Sequence, residues 1–258
     1  MSELQDQMEI PVRICSLFPR HMNLYGERGN LLVLERRLSE MGCTPYIDIY
    51  EGGPAPDWSD YDLLYLGSGT ERAQKEVLRL LSGQEKKLAD YVGSGRIFLA
   101  TGTGAEILGT ELITRDGEKL SGLGLGGFRV KQTDRRILGD VTVNFLGESM
   151  APLIGFINCC GVIEQADTPF GEVLFGRQRS NDGRTPGEGY MRNRLFATRM
   201  IGPLLVRNPQ FLEQLVFWLG EDKGVTPNDP DRKSPPWLAY QNSMAGLEER
   251  RMMKGEKD

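Results

Sequence analysis

Ile97-Phe98-Leu99-Ala100-Thr101-Gly102-Thr103-Gly104-Ala105-Glu106-Ile107-Leu108-Gly109 is the stretch that decides how this chain folds. An apolar run ends in a turn with two glycines and passes into helix-compatible residues, the pattern of a strand that delivers its carboxyl end to a helix. Leu66-Gly67-Ser68-Gly69-Thr70-Glu71-Arg72 repeats the pattern upstream. In an open parallel sheet, loops and helix amides converge at the carboxyl ends of the strands, so these two turns should face one crevice. Glycine there lets backbone approach a ligand or offer amides to an oxyanion. Only the first two glycines of a dinucleotide GxGxxG are present, because Ile107 stands at the third, so that motif is incomplete.

Working outward, Pro11 to Phe18, Pro45 to Tyr50, Asp62 to Leu66 and Arg96 to Thr101 read as strands. Leu31, Leu34, Leu38 and Met41 give Gly29 to Met41 a helical period, and Glu71 to Val92 reads as one further helical stretch. Alternation of this kind predicts a mostly parallel sheet with crossover helices. From Gly122 the texture changes. Phe128 to Lys131, Val141 to Phe145 and Leu153 to Asn158 follow without long helices, as in an antiparallel extension, and Val173 to Phe175 and Arg194 to Thr198 read as further strands. The glycine-dense run Gly122 to Gly127 leads into a strand pattern and reads as a tight turn or bulge.

A helix is expected to open at Asn208-Pro209, with Asn as its cap and Phe211, Leu212, Leu215 and Leu219 on its buried face. The expected domain spans residues 1–220. Four prolines within residues 221–236 mark a linker, and Trp237, Tyr240, Met244, Leu247 and Arg251 mark an amphipathic helix over 237–254. That helix either docks back on the domain or on a partner.

The formal net charge of −5 leaves no cationic excess for nucleic acid or an anionic membrane. No apolar run approaches the roughly 20 residues that span a bilayer, and the polar, acidic N-terminus does not read as a signal peptide, so a cytoplasmic location is expected. Cys15, Cys43, Cys159 and Cys160 lack zinc-site spacing and read as buried thiols, and His21 is the only histidine. No metal site or cofactor is expected.

Met22-Asn23-Leu24-Tyr25-Gly26-Glu27-Arg28-Gly29-Asn30 resembles the MNLYGDRGN opening of the CobB/CobQ-like (cobyric-acid-synthase-like) class I glutamine amidotransferases. Within them it is similar to the branch that supplies the amidotransferase subunit of lipid II isoglutaminyl synthase. Gly67 to Gln74 is similar to that branch's GGGADREQ loop, Gly155-Phe156-Ile157-Asn158 to the start of GFENHGG, and Gly202 to Pro209 to GPLLPKNP. The resemblance covers nearly the whole chain. It implies a flavodoxin-like α/β fold, cytoplasmic cell-wall chemistry and a Mur-ligase-like partner.

Family chemistry needs a thiolate to attack glutamine, a histidine to manage the proton and backbone amides for the oxyanion. Alignment on Ile107-Leu108-Gly109 puts Gly102 at the family cysteine and Glu106 at the family glutamine, and the family histidine, which just precedes GPLL, is replaced by Ile201 before Gly202-Pro203-Leu204-Leu205. Thr101 and Thr103 are weak nucleophiles without a base. Gly67, Ser68, Gly69, Arg72, Gln74, Thr103, Gly104 and Glu106 remain as candidate contacts for glutamine or another small ligand, Glu106 either facing an amine or cation in the crevice or lying exposed at a helix start. Three readings stay open: a subunit without glutaminase chemistry, an active glutaminase with a rearranged active site whose nucleophile is Cys159, Cys160 or a threonine, and a small-ligand sensor.

Overall fold

The computed structural model describes residues 9–164, 166–176 and 187–255. The chain opens with β1 (Pro11–Leu17), α1 (Arg28–Glu40), β2 (Thr44–Tyr50), β3 (Leu63–Leu66), α2 (Glu71–Leu81), α3 (Glu85–Gly93), β4 (Ile97–Thr101) and the short α4 (Thr103–Glu106). The extension follows as β5 (Glu111–Ile113), β6 (Lys119–Ser121), β7 (Arg129–Phe145), β8 (Leu153–Glu164), β9 (Gly171–Phe175), β10 (Gly187–Glu188) and β11 (Tyr190–Arg192). β12 (Leu195–Thr198), α5 (Leu204–Arg207), α6 (Pro209–Asp222) and α7 (Pro235–Gly255) close it.

One six-stranded sheet runs β11-β12-β4-β3-β1-β2 and is parallel except where β11 pairs with β12. β3 and β4 are therefore neighbours, with Leu66 opposite Ala100, and both glycine turns leave the same sheet edge side by side. All four residues of β3 and all five of β4 are buried, as expected of parallel strands covered on both faces.

The stretch expected as one helix over Glu71 to Val92 is two. Thr70 Oγ1 caps α2 by accepting from the Ala73 amide, and α2 ends at Ser82-Gly83, where Gly83 takes φ +85°. Phe128 to Lys131 and Val141 to Phe145 are likewise parts of one strand, β7, whose pairing with β8 shifts register between Gln132 and Ile137. Antiparallel pairing of β7 with β8 and β9 dominates the second sheet, although β5 joins β7 in parallel.

Phe145 of β7, Phe170, Phe196 of β12 and Phe211 of α6 meet at centroid distances from 5.0 Å (Phe145–Phe170) to 6.4 Å (Phe170–Phe196). Such pairs add about 0.5–1.5 kcal/mol each beyond area burial. They fasten the extension to the parallel sheet through a shared core. Asn208 does not cap α6 with its side chain, contrary to expectation. Its amide instead bonds the Ile154 amide and carbonyl and the Leu204 carbonyl, tying β8 to α5.

In α7, Tyr240 and Leu247 are buried against Ile154, and the Tyr240 hydroxyl donates to the Pro152 carbonyl at 2.7 Å. Arg251 of the same periodic set is exposed. No helix among the described residues is long and apolar enough to cross a membrane.

Candidate functional site

At the carboxyl end of β4 the chain turns sharply through Gly102, whose φ of +55° and ψ of −129° are open to glycine and costly for other residues. The Gly102 amide donates to the Thr198 carbonyl at 2.8 Å, which fixes the turn to β12. Space is as restrictive as conformation. A β-carbon on Gly102 would lie 2.2 Å from Ser68 Oγ and 2.7 Å from Ile201 Cγ2. Ile201 is buried and held by its amide to the Phe156 carbonyl at 2.9 Å. Three segments of the chain thus converge on one point and fill it.

The amides around that point are also engaged. Ser68 Oγ accepts from the Thr103 amide at 3.2 Å, while Thr103 Oγ1 accepts from the Gly69 amide at 2.9 Å and donates to the Gly69 carbonyl at 3.0 Å. An incoming oxyanion would have to displace these hydroxyls to reach the same donors. The two glycine turns do lie face to face, but in contact: a β-carbon on Gly104 would stand 2.2 Å from the Gly67 carbonyl oxygen. Here glycine serves backbone packing. Gly67, Ser68, Gly69, Thr103 and Gly104 are all buried.

Glu106 is also buried, neither exposed at a helix start nor facing a crevice. Its Oε2 accepts from Gln74 Nε2 at 2.8 Å, and Gln74 Nε2 also donates to the Thr103 carbonyl at 3.0 Å. Gln132 donates to Gln74 Oε1 at 3.0 Å, completing a relay from β7 through α2 to α4. Glu106 Oε1 has no hydrogen-bond partner among the described residues. Burial pushes the Glu106 carboxyl up to about 7, opposed by Gln74 and by the positive charge of Arg199.

Arg199 and Glu188 form a second buried polar group that sequence reasoning missed. The Arg199 amide and the Thr198 hydroxyl each donate to Glu188 at 2.7 Å, and the Arg199 guanidinium lies 3.7 Å from the same carboxylate. A third is Glu27, whose Oε2 accepts from Tyr65 and Thr101 while Asn30, bonded to Tyr65 at 2.7 Å, receives the Leu205 amide. This group ties the Met22 to Asn30 motif to β3, β4 and α5.

Arg72 is separated from these residues. It is exposed and lines an open groove of about 1600 Å³ with Thr70, Glu71, Lys75, Arg115 and Gln132. Charges there largely neutralise one another, with Lys75 on Glu118 at 2.7 Å and Arg136 on Glu71 at 2.6 Å.

The family model for the CobB/CobQ-like glutamine amidotransferase domain matches residues 13–209. The chain belongs to that family. It is 27% identical over 209 residues to the GatD subunit of lipid II isoglutaminyl synthase (glutamine-hydrolyzing) of Streptococcus pneumoniae, covering 80% of this chain and 79% of that protein. The corresponding GatD subunit of Staphylococcus aureus is 26% identical over 204 residues, covering 79% of this chain and 82% of that protein. Among solved structures, PurLQS from Thermotoga maritima matches in fold, with a TM-score of 0.53 at 14% identity over 82% of this chain and 98% of that one.

Within this CobB/CobQ-like chain, Cys159 and Cys160 are buried on β8. Burial pushes the Cys159 thiol up to about 12, and it also raises Cys160, which lies 3.5 Å from the Glu71 carboxylate. Such thiols are held as protonated hydrophobes, not as nucleophiles. His21 sits in an exposed loop 3.2 Å from Glu51.

Proposed function

We propose that this chain is a glutamine amidotransferase-like subunit without glutaminase chemistry, serving a Mur-ligase-like partner in amidation of the cell-wall precursor lipid II. The observation that carries this reading is the joint occupation of the elbow by Ser68 and Ile201 around Gly102, at the 2.2 and 2.7 Å separations that a β-carbon would meet. A lost thiol by itself would leave room for a ligand. Here the space is packed, the nearby amides are satisfied by hydroxyls, and the remaining thiols are buried with raised pKa values.

Both GatD relatives are named as subunits of a glutamine-hydrolyzing lipid II isoglutaminyl synthase, which supports the pathway and the subunit role. In such an assembly the silent subunit would bind and stabilise its ligase, and the ligase would draw on free ammonia. The test is amidation by the co-purified complex with either glutamine or an ammonium salt as nitrogen source. Product from ammonium alone is expected; equal product from glutamine would refute the reading.

A further inference from the structure

Glu27 is 1% exposed and uses its two oxygens unequally. Oε2 collects the Tyr65 hydroxyl, the Thr101 hydroxyl and, at 3.3 Å, Asn30 Nδ2. Oε1 has no hydrogen-bond partner among the described residues. The Gly202 amide lies close enough to favour the charged carboxylate but does not reach Oε1 in hydrogen-bonding geometry. Beside Glu27 the fold leaves a cavity of about 20 Å³, whose lining includes Ser16, Asn23, Tyr65 and Gly67.

A bare carboxylate oxygen in the interior carries an uncompensated desolvation cost, and native structures meet such groups with ordered water where roughly 10–15 Å³ is available. The volume admits one small occupant and no organic ligand. We propose that this cavity is a built site for a single water molecule, held by Glu27 Oε1 with the Ser16 hydroxyl as its second partner. The water joins Ser16 of β1 to Glu27 and, through Oε2, to Thr101 of β4. Thr101 immediately precedes Gly102, so the occupant belongs to the hydrogen-bonded frame that holds the elbow. This inference is independent of whether the elbow hydrolyses glutamine.

A high-resolution crystal structure of the full chain tests it, with a second crystal grown in rubidium chloride. The expected result is one peak about 2.5–3.2 Å from Glu27 Oε1 and from Ser16 Oγ, with no anomalous signal from rubidium. A rubidium peak would make it a cation site, and a collapsed cavity with Oε1 on the Gly202 amide would remove the site; either outcome overturns the proposal. Ser16→Val gives a separate measure, because its methyl groups would displace the water while suiting a strand. A melting temperature lower by about 2–4 °C is expected; an unchanged or higher one would show that the cavity is dry.

Discussion

The Ser68 hydroxyl stands where a side chain on Gly102 would begin: a β-carbon placed on Gly102 lies 2.2 Å from Ser68 Oγ. The glycine and the serine therefore constrain each other, and Ile201 closes the third side. Gly102→Cys should consequently destabilise the chain by about 1–3 kcal/mol, through backbone strain and overpacking. Adding Ser68→Gly and Ile201→His should recover part of that loss by clearing both contacts. Urea unfolding of the single and triple variants checks this, and equal stability of Gly102→Cys and the parent chain would show that the elbow is open.

Glu106 makes stability depend on pH. Its folded pKa of about 7 lies above the ordinary 4.5, so the unfolded chain ionises first as pH rises between those values. Stability contributed by the protonated group is complete below about pH 4.5, declines toward pH 7 and is lost above it. Glu106→Gln should flatten this slope and gain on the order of 3 kcal/mol at most at pH 8, with little gain at pH 4.5. Unfolding titrations across that range provide the measurement, and a parallel pair of pH profiles would rule the effect out.

The thiols should be inert in the folded chain. Cys15 and Cys159 are each pushed up to about 12 by burial, and all four cysteines are buried. Iodoacetamide or a glutamine-analogue electrophile at neutral pH should label none of them, whereas urea-unfolded protein should be alkylated at all four. Mass spectrometry of the folded sample decides the matter; modification of Cys159 or Cys160 by the glutamine analogue would revive a relocated nucleophile.

α7 should contribute to stability through two side chains. Tyr240→Phe, which removes the hydrogen bond to the Pro152 carbonyl, should cost about 1 kcal/mol. Leu247→Ala should cost about 2 kcal/mol or more, since Leu247 is buried. Met252 is 70% exposed, and Met252→Ala should leave unfolding unchanged. Similar midpoints for all three variants would mean that the helix does not dock as described.

Much of this architecture could be read from residue order. β-branched and aromatic runs located β1, β2, β3 and β4, and the paired glycine turns located the elbow, because strand period and turn chemistry are local. The break between α2 and α3 was hidden because Leu81 and Leu88 are seven residues apart and keep the helical period in phase across Gly83. Burial of Glu106, Glu188 and Arg199 was also illegible, since charged side chains ordinarily lie at the surface and their partners come from distant segments. Ser68 was visible as a residue within a glycine loop. That its hydroxyl closes the space at Gly102 depends on the pairing of β3 with β4 and on Ile201 arriving from beyond β12.

Ammonia release from glutamine is the most direct test of the absence of glutaminase chemistry, measured on the purified protein alone and together with the proposed Mur-ligase-like partner. A packed elbow without thiol or imidazole predicts no turnover above the buffer background in either sample. Sustained, protein-dependent ammonia release in either would contradict it.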